Sequence, residues 1–111
     1  MIQLPRAIYF ILLDRFSTGE STLDKKLAGK LWQNGRPKDY SQAFMGGNLR
    51  GVINNFDYIK NLGIDCIWLS PIFETSAYHG YHVTNFFKID KRFGEDEDLK
   101  SLVNLCHKNG I

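Results

Sequence analysis

The 111-residue sequence predicts an α/β fold in which strands and helices alternate, and three observations carry that prediction. Two short apolar runs rich in branched and aromatic side chains, Ala7 to Leu13 and Ile64 to Leu69, have the length and composition of strands buried between layers. Between them Leu49, Val52, Ile53, Phe56, Ile59 and Leu62 recur at three- and four-residue steps, which places them on one face of a helix. Beyond the second run, Leu99, Leu102, Val103 and Cys106 repeat that spacing. The order is β-α-β-α, and two parallel strands joined by a helix form a unit whose crossover is normally right-handed.

Each element carries its own punctuation. Strand one, AIYFILL, stops at Asp14 and Arg15. Residues 14–45 then form a long excursion broken by Gly19, Gly29, Gly35 and Pro37, and connections of that length are uncommon and often functional. Asn48 is the expected N-cap of the first helix and Gly63 its C-terminal stop. Strand two, IDCIWL, is closed by Ser70 and Pro71, because proline lacks the N–H that would continue a ladder. Trp68 within it is expected in the core. Residues 72–94 form a second long, aromatic-rich segment, and Glu95 to Asp98 then open the second helix. Four acids in a first turn are favoured by the helix dipole, which accounts for them better than a metal site does. That helix ends at Lys108, Asn109 and Gly110, and Ile111 reads as the first residue of a third strand.

Composition narrows the function classes. A hydrophobic content of 43% with 14% aromatic residues suits one packed domain over residues 1–111. Fourteen basic against twelve acidic residues leave +2, which argues for no nucleic-acid and no membrane-surface partner. No stretch approaches the ~20 apolar residues of a membrane span. The N-terminus shows no signal peptide, so a cytoplasmic location is expected if the start is genuine and an extracellular one if the chain belongs to a secreted enzyme. Cys66 and Cys106, each in an apolar segment, are expected as two buried thiols and not as a disulfide or metal pair. Gly46, Gly47 and Gly51 do not make the G-x-G-x-x-G of a dinucleotide site. Long loops on the strand-to-helix side are where both barrels and open α/β sheets place their sites, and the spacing alone leaves both architectures open.

Five segments add a resemblance: YFILLDRFSTG (Tyr9 to Gly19), GGNLRGV (Gly46 to Val52), LGIDCIWLSPIF (Leu62 to Phe73), YHGYHVTNFF (Tyr78 to Phe87) and RFGEDEDLKSLVNLCHKNGI (Arg92 to Ile111). In order and spacing they resemble the alpha-amylase family of glycoside hydrolases, including cyclodextrin glucanotransferases and maltogenic amylases. The resemblance implies a partial (β/α)8 TIM barrel, namely its first two βα units with long βα loops, ending at the start of strand three. A closed barrel of this kind takes ~250 residues. The activity implied is retaining hydrolysis of, or transfer between, α-1,4-glucans such as starch, maltodextrin or cyclodextrin, by a carboxylate nucleophile and an acid/base carboxyl group. In the family those acids come from strands four, five and seven. No catalytic residue is therefore expected in residues 1–111, nor hydrolysis by them alone, and Asp14 and Glu74 match no catalytic acid. The alternative is a non-catalytic amylase-like protein that binds carbohydrate or serves as a scaffold.

By the same resemblance, Tyr81 stacks on the sugar ring that undergoes cleavage and His79 sits beside it, with His82 as a third substrate-binding candidate. The chemistry agrees, since an aromatic face packs on the C–H face of a pyranose while imidazole hydrogen-bonds to hydroxyls. His82 stands where cyclodextrin-forming members often carry tryptophan, and Asn85 where many have aspartate. Calcium is the one cofactor the resemblance brings in, for a full-length enzyme, and it wants six to eight hard oxygens. The matching positions read Thr18, Glu20, Leu23, Asp24, Gly46 and Asn48, and Leu23 donates no side-chain oxygen. No metal is expected there, with Glu20, Asp24, Gly46 and Asn48 as the weak candidates. The expected partner is an α-glucan oligo- or polysaccharide. Unpaired apolar strand edges recruit other chains, so the isolated chain is expected to self-associate.

Overall fold

The computed structural model describes residues 4–19, 32–33, 36–37 and 41–111. Along the chain run β1 (Ile8–Ile11), α1 (Leu13–Phe16), β2 (Trp32–Gln33), β3 (Arg36–Pro37), α2 (Leu49–Asn54) and α3 (Phe56–Asn61). They are followed by β4 (Cys66–Leu69), β5 (Phe73–Thr75), β6 (Val83–Ile89) and α4 (Asp96–Lys108). β1 and β4 pair in parallel, with Ile8 opposite Cys66 and Ile11 opposite Leu69, and the α2–α3 segment is the crossover between them.

Because side chains alternate across a strand, one face of this pair carries Tyr9, Ile11, Ile67 and Leu69. That face packs with Leu49, Val52, Ile59, Phe93 and Leu102 into the core. The opposite face carries Ile8, Phe10, Cys66 and Trp68, and here the expectation of burial on both faces fails. Phe10 and Trp68 are 42% and 58% exposed, their rings edge to face at 5.1 Å. Trp68 is thus not a core residue among the described residues, because helices cover only the other side of the sheet. Among the described residues, each strand of the pair also has one edge without a neighbour.

Element boundaries shift for local reasons. Strand one ends at Ile11, since the Leu13 N–H donates to the Ser70 hydroxyl at 2.9 Å and the chain turns into α1. The single helix expected over 49–62 is divided at Asn55, whose side-chain amide donates to the Gly51 carbonyl (2.8 Å) and to the Ser17 hydroxyl (3.0 Å), competing with the backbone ladder. Strand two begins at Cys66, because the Asp65 carboxylate turns back to accept the Arg6 and Ala7 N–H groups. Those backbone hydrogen bonds hold Asp65 below the usual carboxylate value of 3.8. Residues 72–94 contain the antiparallel β5–β6 hairpin, which sequence reading described only as an aromatic segment. Ile111 is in no strand; its N–H donates to the Cys106 carbonyl at 2.9 Å and finishes the helix turn.

Two readings of local chemistry hold. Asn48 caps α2, its side-chain oxygen accepting the Gly51 N–H at 2.8 Å. At α4 the Asp98 carboxylate accepts the Glu95 N–H (2.9 Å) and pairs with Arg50 of α2 (2.6 Å), so the acids cap and clamp the helix. Cys66 and Cys106 are free thiols, half-buried where full burial was expected, along a cleft of about 260 Å³ between β4 and α4. Burial pushes the Cys106 thiol above its ordinary value. No helix among the described residues is long and apolar enough to cross a membrane.

Candidate functional site

The candidate site is built on the loop joining β5 to β6, just beyond the C-terminal end of β4. Its neck closes when the Ser76 N–H donates to the His82 carbonyl (3.1 Å) and the Thr75 hydroxyl donates to the same oxygen (3.0 Å). The tip turns at Gly80, whose N–H donates to the Ala77 carbonyl at 3.0 Å. Gly80 has φ +81°, and a Cβ there would run into the Pro71 carbonyl. Glycine is required on both counts, and the tip is held close against the end of β4.

This turn brings the three predicted substrate residues together. The His79 ring lies 5.7 Å from that of Tyr81 and 4.8 Å from that of His82, with Tyr78 edge-on at 5.2 Å. The Tyr81 N–H donates to His79 Nδ1 at 3.1 Å. A nitrogen that accepts an N–H bond carries no proton, so the neutral ring holds its proton on Nε2 and keeps that donor for another acceptor. Tyr81 is 56% exposed, leaving its ring surface open to a flat apolar partner. His82 is also exposed, and the Asn85 side-chain oxygen accepts the Phe87 N–H at 2.9 Å. Glu74 forms only an exposed ion pair with Lys88, at 3.5 Å.

Two buried carboxylates flank this loop, Asp90 bonded to its neck and Asp14 reaching it only through Arg15, and sequence reading gave neither a role. Asp14, 2% exposed, accepts the Met45 N–H (2.9 Å) and the Gly46 N–H (3.1 Å), tying the end of the first long excursion to the end of β1. Its neighbour Arg15 bonds back to it at 3.0 Å, donates to the Ala43 carbonyl at 3.0 Å and lies 4.1 Å over the Tyr78 ring. Under the hairpin, Asp90 is 3% exposed and accepts from the Thr75 N–H (3.1 Å), the Arg92 N–H (2.9 Å) and the Arg92 guanidinium (2.8 Å). Burial pushes the Asp90 carboxyl upward, but the hydrogen bonds from Arg92 and Thr75 outweigh it, and the group lies below 3.8. Arg92 also donates to the Thr75 carbonyl at 2.6 Å and covers the Phe44 ring at 3.7 Å. An acid directly after an apolar strand run, and the Asp-x-Arg spacing before Phe93, were the available signals.

Of the four calcium candidates, Gly46 and Asn48 lie among the described residues. Glu20 and Asp24 lie outside the described residues, as does Leu23. The Asn48 side-chain oxygen accepts the Gly19 and Gly51 N–H groups at 2.8 Å each, two positive dipole ends where a cation would have to sit. The Asn48 side-chain oxygen is therefore committed to N–H donors. No cluster of three or more His, Cys, Asp or Glu suited to a metal occurs among the described residues.

Residues 10–111 match the family described as alpha amylase, catalytic domain. Alpha-amylase 2 of Dictyoglomus thermophilum is 41% identical over 94% of this chain and 16% of its own length. A cyclomaltodextrinase of Thermoanaerobacter pseudethanolicus is 38% identical over 94% of this chain and 17% of its length. The chain thus spans about a sixth of these curated relatives. Among solved structures, an alpha-amylase of Geobacillus thermoleovorans, crystallised with acarbose, superposes with a TM-score of 0.72 at 37% identity, over 95% of this chain and 21% of that one.

Proposed function

This chain belongs to the alpha-amylase catalytic-domain family, and on that premise we propose that it is the N-terminal part of a (β/α)8 barrel that hydrolyses or transfers α-1,4-glucans. Its share of the work is to hold sugar. Tyr81 presents a ring face to a pyranose, His79 offers its Nε2–H to a hydroxyl, and His82 flanks them. The observation that carries this reading is their convergence on one glycine-pinned loop at the C-terminal end of a parallel strand, with Tyr81 left open. Barrel enzymes place their sites on that side. The catalytic carboxylates are assigned to later strands, so residues 1–111 bind and do not cleave.

The test joins both halves. Maltoheptaose incubated with the chain is expected to yield no new reducing ends, and calorimetric titration is expected to show saturable binding. Tyr81→Ala weakens that binding roughly tenfold, the loss of one aromatic stacking contact worth about 1.4 kcal/mol. Release of reducing ends, or equal affinity in the Tyr81→Ala variant, contradicts the reading.

A further inference from the structure

We propose that Arg15 is a positioning residue for the saccharide face, setting Tyr78, and through it His79 and Tyr81, from the end of β1. The inference rests on the preceding assignment of that face to sugar. The neck of the loop is closed by its own hydrogen bonds at Thr75, Ser76 and His82, but Tyr78, His79 and Tyr81 stand beyond the neck, at the tip. What reaches the tip from the other strand is the Arg15 guanidinium, stacked 4.1 Å over Tyr78.

Arg15 is suited to this because it is itself immobilised. Its Nε is bonded to Asp14 at 3.0 Å and its Nη2 to the Ala43 carbonyl at 3.0 Å, and Asp14 is in turn fixed by the Met45 and Gly46 N–H groups. A planar fork held at its edge keeps its face for the ring. From Tyr78 the order continues through the edge contact to His79 at 5.2 Å, whose Nδ1 accepts the Tyr81 backbone N–H at 3.1 Å and whose ring lies 5.7 Å from that of Tyr81. The buried carboxylate at the end of one strand thereby sets the ring geometry on the loop that follows the other. Lysine cannot replace this arrangement: its three donors sit on one nitrogen, and it has neither the plane nor the second nitrogen that reaches the Ala43 carbonyl.

The experiment compares the full 111-residue chain with Arg15→Lys, Arg15→Met and Tyr78→Leu, at a concentration where each sediments as one species. Amide and imidazole nitrogen NMR signals of Tyr81 and His79 report the positioning, and the Thr75, Asp90 and Arg92 amides report the fold. All three variants are expected to displace the Tyr81 and His79 signals while the Asp90 and Arg92 amides stay. Maltoheptaose affinity is expected to fall roughly 3- to 10-fold, the size of a partly desolvated cation–π contact. If Arg15→Met loses the fold reporters, Arg15→Lys and Tyr78→Leu decide. Unchanged Tyr81 and His79 signals in the folded variants overturn the inference. A wild-type chain that binds no maltoheptaose refutes the saccharide assignment instead, and the positioning role then stands or falls on the Tyr81 and His79 signals alone.

Discussion

Replacing Arg92 by methionine is expected to destabilise the chain by roughly 3 kcal/mol, the lower end for breaking one side of a buried ion pair. Against the total of about 5–15 kcal/mol typical of a small domain, that is a large share. The substitution leaves the buried Asp90 carboxylate facing the Thr75 N–H without its counter-charge, and uncovers Phe44. Urea denaturation followed by circular dichroism measures the loss. The same pair sets an acid limit. Asp90 lies below 3.8 in the folded chain, so the unfolded chain takes up protons first as pH falls. The stabilisation is complete above 3.8 and is lost as pH drops through the lowered folded value. The stability gap between wild type and Asp90→Asn is therefore expected to narrow below that pH. A gap that stays constant down to pH 2 would show that the carboxylate is not held by Arg92 as described.

The second large effect concerns association. Phe10 and Trp68 are paired side by side on the uncovered face of the β1–β4 sheet, each close to half exposed, and each strand has a free edge beside them. Covering two such rings from each of two copies stabilises an associated state by about 4 kcal/mol, on the order of a thousandfold in Kd. Sedimentation velocity on the isolated chain is expected to show self-association, and Phe10→Gln with Trp68→Gln is expected to return it to monomer. A wild-type chain that stays monomeric at high concentration would mean that this face has no such drive. In a complete barrel the same face would turn inward, where residues beyond these two strands would cover it.

The contrast between these two regions shows what the sequence made legible and what it hid. The periodicity of Leu49 to Leu62 and of Leu99 to Cys106 announced both helices, and the runs at 7–13 and 64–69 announced both strands, because apolar spacing reflects the face each element buries. Asn48 and Glu95 to Asp98 were readable as caps because capping is a contact within a few residues of sequence. Trp68, read as barrel or inter-layer core, is exposed among the described residues, because an apolar strand run does not say which elements cover it. The β5–β6 hairpin was missed because the consecutive exposed residues of β6 mix polar Thr84, Asn85 and Lys88 with apolar Phe86 and Phe87, so period-two alternation is erased. In the site, YHGY was legible through the family resemblance, and the requirement for glycine at position 80 emerged from the structure. Arg15 carried no signal, since its partner Tyr78 lies far along the chain and only folding brings them together, and Asp90 offered only its two-residue spacing to Arg92.

The central claim is that Tyr81, His79 and His82 form a face for an α-glucan. Residue-resolved NMR during titration of the wild-type chain with maltoheptaose tests it most directly. Saturable shifts confined to residues 78–82 and to Arg15 are predicted. Shifts that gather instead in the cleft between β4 and α4, around Cys66 and Cys106, or no shifts at all, would contradict it.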